Sequence, residues 1–118
     1  MIPISKAAKV DENSSLKDLI FEVSSKKQGI ALVKKINKIT GVFSDGDLRR
    51  ELQNNTDIQN TKVKSVMRKK FKTINHEELI AEAAKKMKKY KVYNLIVEQK
   101  GNIIGVLTMH DILEANVL

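Results

Sequence analysis

Ile39-Thr40-Gly41-Val42-Phe43-Ser44-Asp45-Gly46-Asp47-Leu48 is matched 64 residues later by Ile103-Ile104-Gly105-Val106-Leu107-Thr108-Met109-His110-Asp111-Ile112. Both stretches read as an apolar strand carrying a glycine, then a hydroxyl residue, two variable positions and an aspartate that opens an apolar-periodic helix. At the same shift Ala31-Leu32-Val33 meets Leu95-Ile96-Val97, each a short apolar run suited to a buried strand. The links between strands, Lys35 to Lys38 and Gln99 to Asn102, are tight turns, and Lys100-Gly101-Asn102 is a hairpin signal. Further upstream, Leu16, Leu19, Ile20 and Val23 share one helical face, as do Leu79, Ala83, Ala84 and Met87. Those two faces superpose at a shift of 63, which implies one extra residue between helix and strand in the second copy.

Each copy thus runs helix, strand, turn, strand, helix. A sheet this small, covered by helices on one face, leaves apolar surface bare, and a second copy can bury it. The expected class is α/β (α+β), with two pseudo-symmetric repeats, each a small sheet packed on helices. The repeats divide as 1–60, the first being incomplete at its N-terminal side, and 61–118. Two copies fall short of the three or more that a solenoid needs. Asn54, Asn55, Thr56, Asp57, Gln59 and Asn60 form a polar joint, after which Val63, Val66 and Met67 suggest a helical turn leading into the second repeat. Pro3, the only proline, keeps its segment extended and unsuited to a central strand.

Of the 118 residues 42% are hydrophobic but only 4% aromatic, with no Trp, so the core must be aliphatic. The absence of cysteine excludes disulfides, thiolate metal sites and a thiol nucleophile, and fits a reducing, cytoplasmic setting. Apolar runs of four or five residues cannot span a membrane, and Met1 to Val10 lacks a secretory apolar stretch. The net charge of +8 is uneven, +2 over 1–60 and +6 over 61–118. It is densest at Arg68, Lys69, Lys70 and Lys72 and again at Lys85, Lys86, Lys88, Lys89 and Lys91. Such a field attracts anions, although solvated helix faces explain it more simply, and nucleic-acid binding is disfavoured because basic and aromatic residues do not interleave. His76, which reads as a helix-start residue, and His110 are not at metal-ligand spacing and lack a third ligand. There is no G-x-S-x-G elbow, phosphate loop or G-x-G-x-x-G, so the chain reads as having no catalytic centre.

The repeated corner is the candidate site. Ser44 with Asp47, and Thr108 with Asp111, stand where a strand meets a helix N-terminus, a setting that favours anions. The hydroxyl can donate to a phosphate oxygen while the carboxylate accepts from a pair of sugar hydroxyls. The same spacing also fits a capping box, in which these groups bond only to their own backbone. Asp45 and His110 lie in the corners between hydroxyl and acid. Arg49 or Arg50 could reach a phosphate or stand as solvated charge. Ile30 and Ala31 in the first copy, and Tyr93 and Asn94 in the second, precede or open the strand beside the corner. Tyr93 suits either a ligand ring or the core.

The whole chain resembles a tandem cystathionine-β-synthase (CBS) domain pair, or Bateman module, through Gly41 to Asp47 and Gly105 to Asp111. GVFSDGDLRREL (Gly41 to Leu52), SVMRKKFKTI (Ser65 to Ile74) and GVLTMHDILEANVL (Gly105 to Leu118) further resemble the C-terminal regulatory region of bacterial arabinose-5-phosphate isomerases. The resemblance implies a regulatory module of a longer protein, without the N-terminal sugar isomerase domain of that family and with no catalytic residue or required cofactor. It implies binding of a phosphorylated small molecule, a nucleotide or nucleotide-sugar such as an adenine nucleotide or CMP-Kdo. The contacts would come from Ser44, Asp45, Asp47, Thr108, His110 and Asp111, and secondarily from Ile30, Ala31, Arg49, Tyr93 and Asn94. It also implies homodimers formed through the helices; a purely structural dimerisation module is the alternative. Met109 and His110 replace Asp45 and Gly46, so the two corners are not equivalent.

Overall fold

A computed structural model describes residues 1–78 and 80–115. Strand β1 (Ile2–Pro3) is followed by β2 (Lys9–Asp11), α1 (Leu16–Lys26), β3 (Ile30–Lys35), β4 (Lys38–Ser44) and α2 (Asp45–Gln53). After a 3₁₀ turn at Val63–Ser65 come β5 (Thr73–Asn75), α3 (Ile80–Tyr90), β6 (Asn94–Gln99), β7 (Asn102–Thr108) and α4 (Met109–Ala115). The expected αβ repeat is present, each copy with a short strand in front of its helix.

The repeat keeps one register. Helices α1 and α3, strands β2 and β5, and both hairpins begin 64 residues apart. The ladder irregularities at Val33/Lys34 and Val97/Glu98 fall at the same offset. So do Lys27 and Lys91, both in the left-handed region with φ of 55°. The expected extra residue in the second copy is therefore absent: Leu19, Ile20 and Val23 correspond to Ala83, Ala84 and Met87, and Leu16 corresponds to Ile80. Leu79, which the shift of 63 set opposite Leu16, lies outside the described residues.

Two compact units result, one of residues 7–70 and one joining 1–6 to 71–118. The packing therefore does not follow a break at residue 60. Residues 61–70 pack with the first repeat's elements, and 1–6 with the second's. In the first unit β2 runs parallel to β3 and β3 antiparallel to β4, in the order β2-β3-β4. Beyond β4, Val42 and Arg68 exchange both backbone hydrogen bonds at 2.9 Å, so a passing segment takes the edge position. In the second unit the order is β1-β7-β6-β5, with Ile2 and Pro3 paired antiparallel to Val106 and Gly105. Pro3 sits on an edge strand, where its missing N–H costs no ladder bond.

Amphipathic periodicity places Leu16, Leu19 and Val23 of α1 in the core with Ala8, Val10, Ala31, Val33, Phe43 and Val63. Val63 belongs to this first core, not to the second repeat. Ser15 caps α1, its hydroxyl accepting from the Asp18 N–H at 3.2 Å. In the second unit Ile74, Ala83, Met87, Leu95, Val97, Leu107 and Ile112 form the core. His76 does not start α3; it follows β5, its N–H donating to the Glu98 carbonyl at 2.7 Å. Asn75 organises that turn instead, its side chain accepting from the Glu77 N–H at 2.9 Å.

The conserved-offset glycines have a steric purpose. A Cβ on Gly41 would lie 2.8 Å from Met67 Sδ and 3.0 Å from the Arg68 carbonyl oxygen; one on Gly105 would lie 2.4 Å from the Ile2 carbonyl oxygen. Each glycine leaves room for the segment crossing it. Gly41→Ala should cost about 1–2 kcal/mol, the scale of overpacking, and lower the melting temperature by about 3–8 °C. Gly105→Ala should cost less despite the closer approach, since β1 has only two residues and can lift off. Thermal melts of the two variants measure the difference.

Candidate functional site

Strand β4 ends at Ser44 and α2 starts at Asp45, so the corner is one turn with no intervening loop. The Ser44 hydroxyl accepts from the Asp47 N–H at 3.3 Å, while Asp47 Oδ2 accepts from the Ser44 N–H at 2.9 Å and its hydroxyl at 3.0 Å. The second corner repeats this: Thr108 Oγ1 accepts from the Asp111 N–H at 3.2 Å, and Asp111 Oδ2 from the Thr108 N–H at 2.9 Å. All four side chains thus form capping boxes, the simpler of the two readings open from spacing.

Electrostatics separates the corners. Asp47 is the only buried charged side chain among the described residues, 9% exposed. Its Oδ1 receives the Arg68 guanidinium at 2.7 Å and that of Arg50, one helical turn on. Burial alone would raise its pKa, but hydrogen bonds from Ser44 and the hydrogen bond and charge of Arg68 outweigh it and hold the carboxyl below the usual range. Asp111 is also lowered: burial opposes, while bonds from Thr108 and the Met1 ammonium at 3.5 Å prevail. No guanidinium reaches Asp111 among the described residues. Glu114 stands at the offset of Arg50, and Ile2 crosses Gly105 where Arg68 crosses Gly41.

The remaining expected residues divide by unit. Ile30 and Ala31 pair with Ser44 and Phe43, but their side chains are buried, leaving only backbone for a ligand. The Asp45 N–H donates to the Gly29 carbonyl at 3.0 Å, and its carboxylate is exposed beside Gly29. Arg49 points to solvent. In the second unit the Tyr93 carbonyl accepts from the Met109 N–H at 2.8 Å, the same bond at the same offset. The Tyr93 ring is 76% exposed, which excludes it from the core. Asn94 pairs with Thr108 in the ladder. His110 is exposed and lies 3.0 Å from Glu114. Arg68 is the participant that sequence reasoning counted only within a basic patch; the apolar Val66-Met67 beside it was the signal that this stretch is anchored. No metal-competent cluster of His, Cys, Asp and Glu occurs among the described residues, and none of their helices is long and apolar enough to cross a membrane.

Comparison with known proteins fits this architecture. The CBS domain family model matches residues 63–117. Over 106 residues, 89% of the chain, it is 37% identical to an arabinose 5-phosphate isomerase KdsD of Francisella tularensis, of which it covers 32%. The chain spans about a third of the length of the curated relatives it matches. Among solved structures, a putative signal-transduction protein with CBS domains from Burkholderia ambifaria superposes with a TM-score of 0.88 at 21% identity, covering 94% of this chain and 82% of that one. A CBS domain protein from Pyrobaculum aerophilum complexed with AMP superposes at 0.80 with 19% identity, over 89% and 82% of the two chains. The matched region is not a catalytic domain. With two copies of one strand–corner–helix unit, the second matched by the CBS domain family over residues 63–117, and a similar fold along nearly its whole length, the chain has the fold of a tandem CBS-domain pair and is similar in sequence to part of the arabinose 5-phosphate isomerases.

Proposed function

We propose that this CBS pair is a cytoplasmic regulatory module that binds a nucleotide or nucleotide-sugar and thereby modulates an attached arabinose-5-phosphate isomerase domain. The observation that carries the reading is the duplicated corner, an ionised carboxylate beside a hydroxyl at a helix start, built once in each unit. A vicinal diol suits the carboxylate and a phosphate suits the backbone N–H groups and nearby cations. Ser44, Asp45, Asp47, Thr108, His110 and Asp111 are the contacts, with the exposed Tyr93 ring, Asn94, Arg49 and the backbone of Ile30 and Ala31 beside them. AMP in the Pyrobaculum aerophilum relative supports the ligand class; the isomerase relatives support the attached enzyme and make a sugar nucleotide such as CMP-Kdo the natural alternative. Calorimetry with AMP, ATP, CMP-Kdo and arabinose 5-phosphate tests this. A saturable heat with a nucleotide, weakened about tenfold or more by Asp111→Ala, is expected; no heat from any of the four up to millimolar concentration overturns it.

A second reading, assembly, is favoured by one observation. Phe21 on α1, Leu52 on α2 and Leu113 on α4 are 73%, 55% and 58% exposed. Large apolar side chains on helix faces suit a homodimer. Sedimentation should show a dimer that Phe21→Ser weakens, and a monomer at high concentration rules this out.

A further inference from the structure

We infer that Arg68 is a built-in occupant of the first corner, and that a nucleotide enters there by exchange. The ribose hydroxyls would take Asp47 while the phosphate takes the guanidiniums of Arg68 and Arg50. This rests on the ligand reading above and specifies how that site is regulated. A carboxylate has about four lone-pair sites. Those of Asp47 are filled by the Ser44 N–H and hydroxyl on one oxygen and by Arg50 and Arg68 on the other. A diol can therefore reach Asp47 only by displacing a group already bound.

The arginines are the groups that can leave. The second corner keeps its capping box with no guanidinium, so the turn itself does not need them. The side chains of Arg50 and Arg68 are 58% and 44% exposed, so both can swing away without opening the core. Arg68 remains tethered beside the corner by its two backbone bonds to Val42. The exchange also balances charge. A neutral diol alone would strand two guanidiniums that had shared one carboxylate, whereas a diol carrying a phosphate gives them a new and stronger anionic partner. The first corner thus selects for diol and phosphate in one molecule. It also ties occupancy to the segment after Val63 that leads to β5.

The test compares adenosine with AMP on the full chain by calorimetry. Wild type should prefer AMP by about tenfold or more, the scale of one charge-assisted hydrogen bond. Arg68→Gln, which leaves Asp47 paired with Arg50, should bind adenosine several-fold tighter than wild type does and AMP more weakly, so that the preference falls to about threefold or less. If circular dichroism shows that Arg68→Gln does not fold, Arg50→Gln applies the same test from the other guanidinium. An AMP preference unchanged in the variant, or equal loss of both ligands, overturns the exchange and leaves the ligand reading standing. Silence from wild type and variant with both compounds overturns the exchange, and the ligand reading falls with it only if ATP, CMP-Kdo and arabinose 5-phosphate are silent too.

Discussion

Phe43→Ala is expected to destabilise the chain by about 3–5 kcal/mol, lowering its melting temperature by about 10–20 °C. Phe43 has no exposed surface and is among the largest side chains buried in the protein. Its neighbours in the first core are Ala8, Val10, Leu16, Leu19, Val23, Ala31, Val33 and Val63, with Met67 among the partly buried residues packed against them. A close-packed core relaxes only partly into the space left by a phenyl ring, which puts the cost within the range for a Phe-to-Ala change. Since folded domains are stable by about 5–15 kcal/mol in all, a large share of the margin goes. Urea titration should show a lower midpoint with an unchanged slope. Leu107→Ala, the matching change in the second unit, should cost less, because Leu107 is the smaller side chain and retains 8% exposure, where Phe43 has none. Phe43 also precedes Ser44, so the first corner should lose ligand along with stability.

Most of the fold was legible because it depends on local pattern. Apolar runs gave β3, β4, β6 and β7, turn residues gave the hairpins, and the matched Gly41 and Gly105 stretches gave the repeat. The misplaced shift of 63 arose where two adjacent apolar residues, Leu79 and Ile80, both suited a helical face, and periodicity over one turn cannot choose between neighbours. Strands β2 and β5 escaped notice because each has three residues with one buried side chain, Val10 or Ile74, too few to show alternation. The corners were legible as positions, but spacing could not separate a capping box from a ligand contact, since both chemistries use a hydroxyl and an acid three residues apart. The Arg68–Asp47 pair was not legible at all. Arg68 meets Asp47 across 21 residues of chain, and only the crossing at Gly41 brings them together.

Asp47→Ala is the second large effect, expected at about 2–3 kcal/mol near neutral pH. It removes the carboxylate half of the capping box, to which the Ser44 N–H and hydroxyl donate, while the Ser44 hydroxyl still caps α2, and it leaves Arg50 and Arg68 without their partner. Loss of one partner from a fully buried pair costs about 3–5 kcal/mol, but these guanidiniums keep contact with water, so the penalty is reduced. Asp47→Asn separates charge from shape through pH. Because the folded carboxyl titrates below its ordinary value, the ionised form contributes stability above the unfolded pKa of about 4. That contribution is lost as pH falls from about 4 through the folded pKa. The stability gap between wild type and Asp47→Asn should therefore be flat from about pH 6 to 8 and close in acid. Asp111, shifted the same way, should leave the variant a smaller acid dependence of its own. A gap that stays constant down to pH 3 would mean that the charge on Asp47 contributes nothing to holding its two arginines, and the corner would then be stabilised by hydrogen-bond geometry alone.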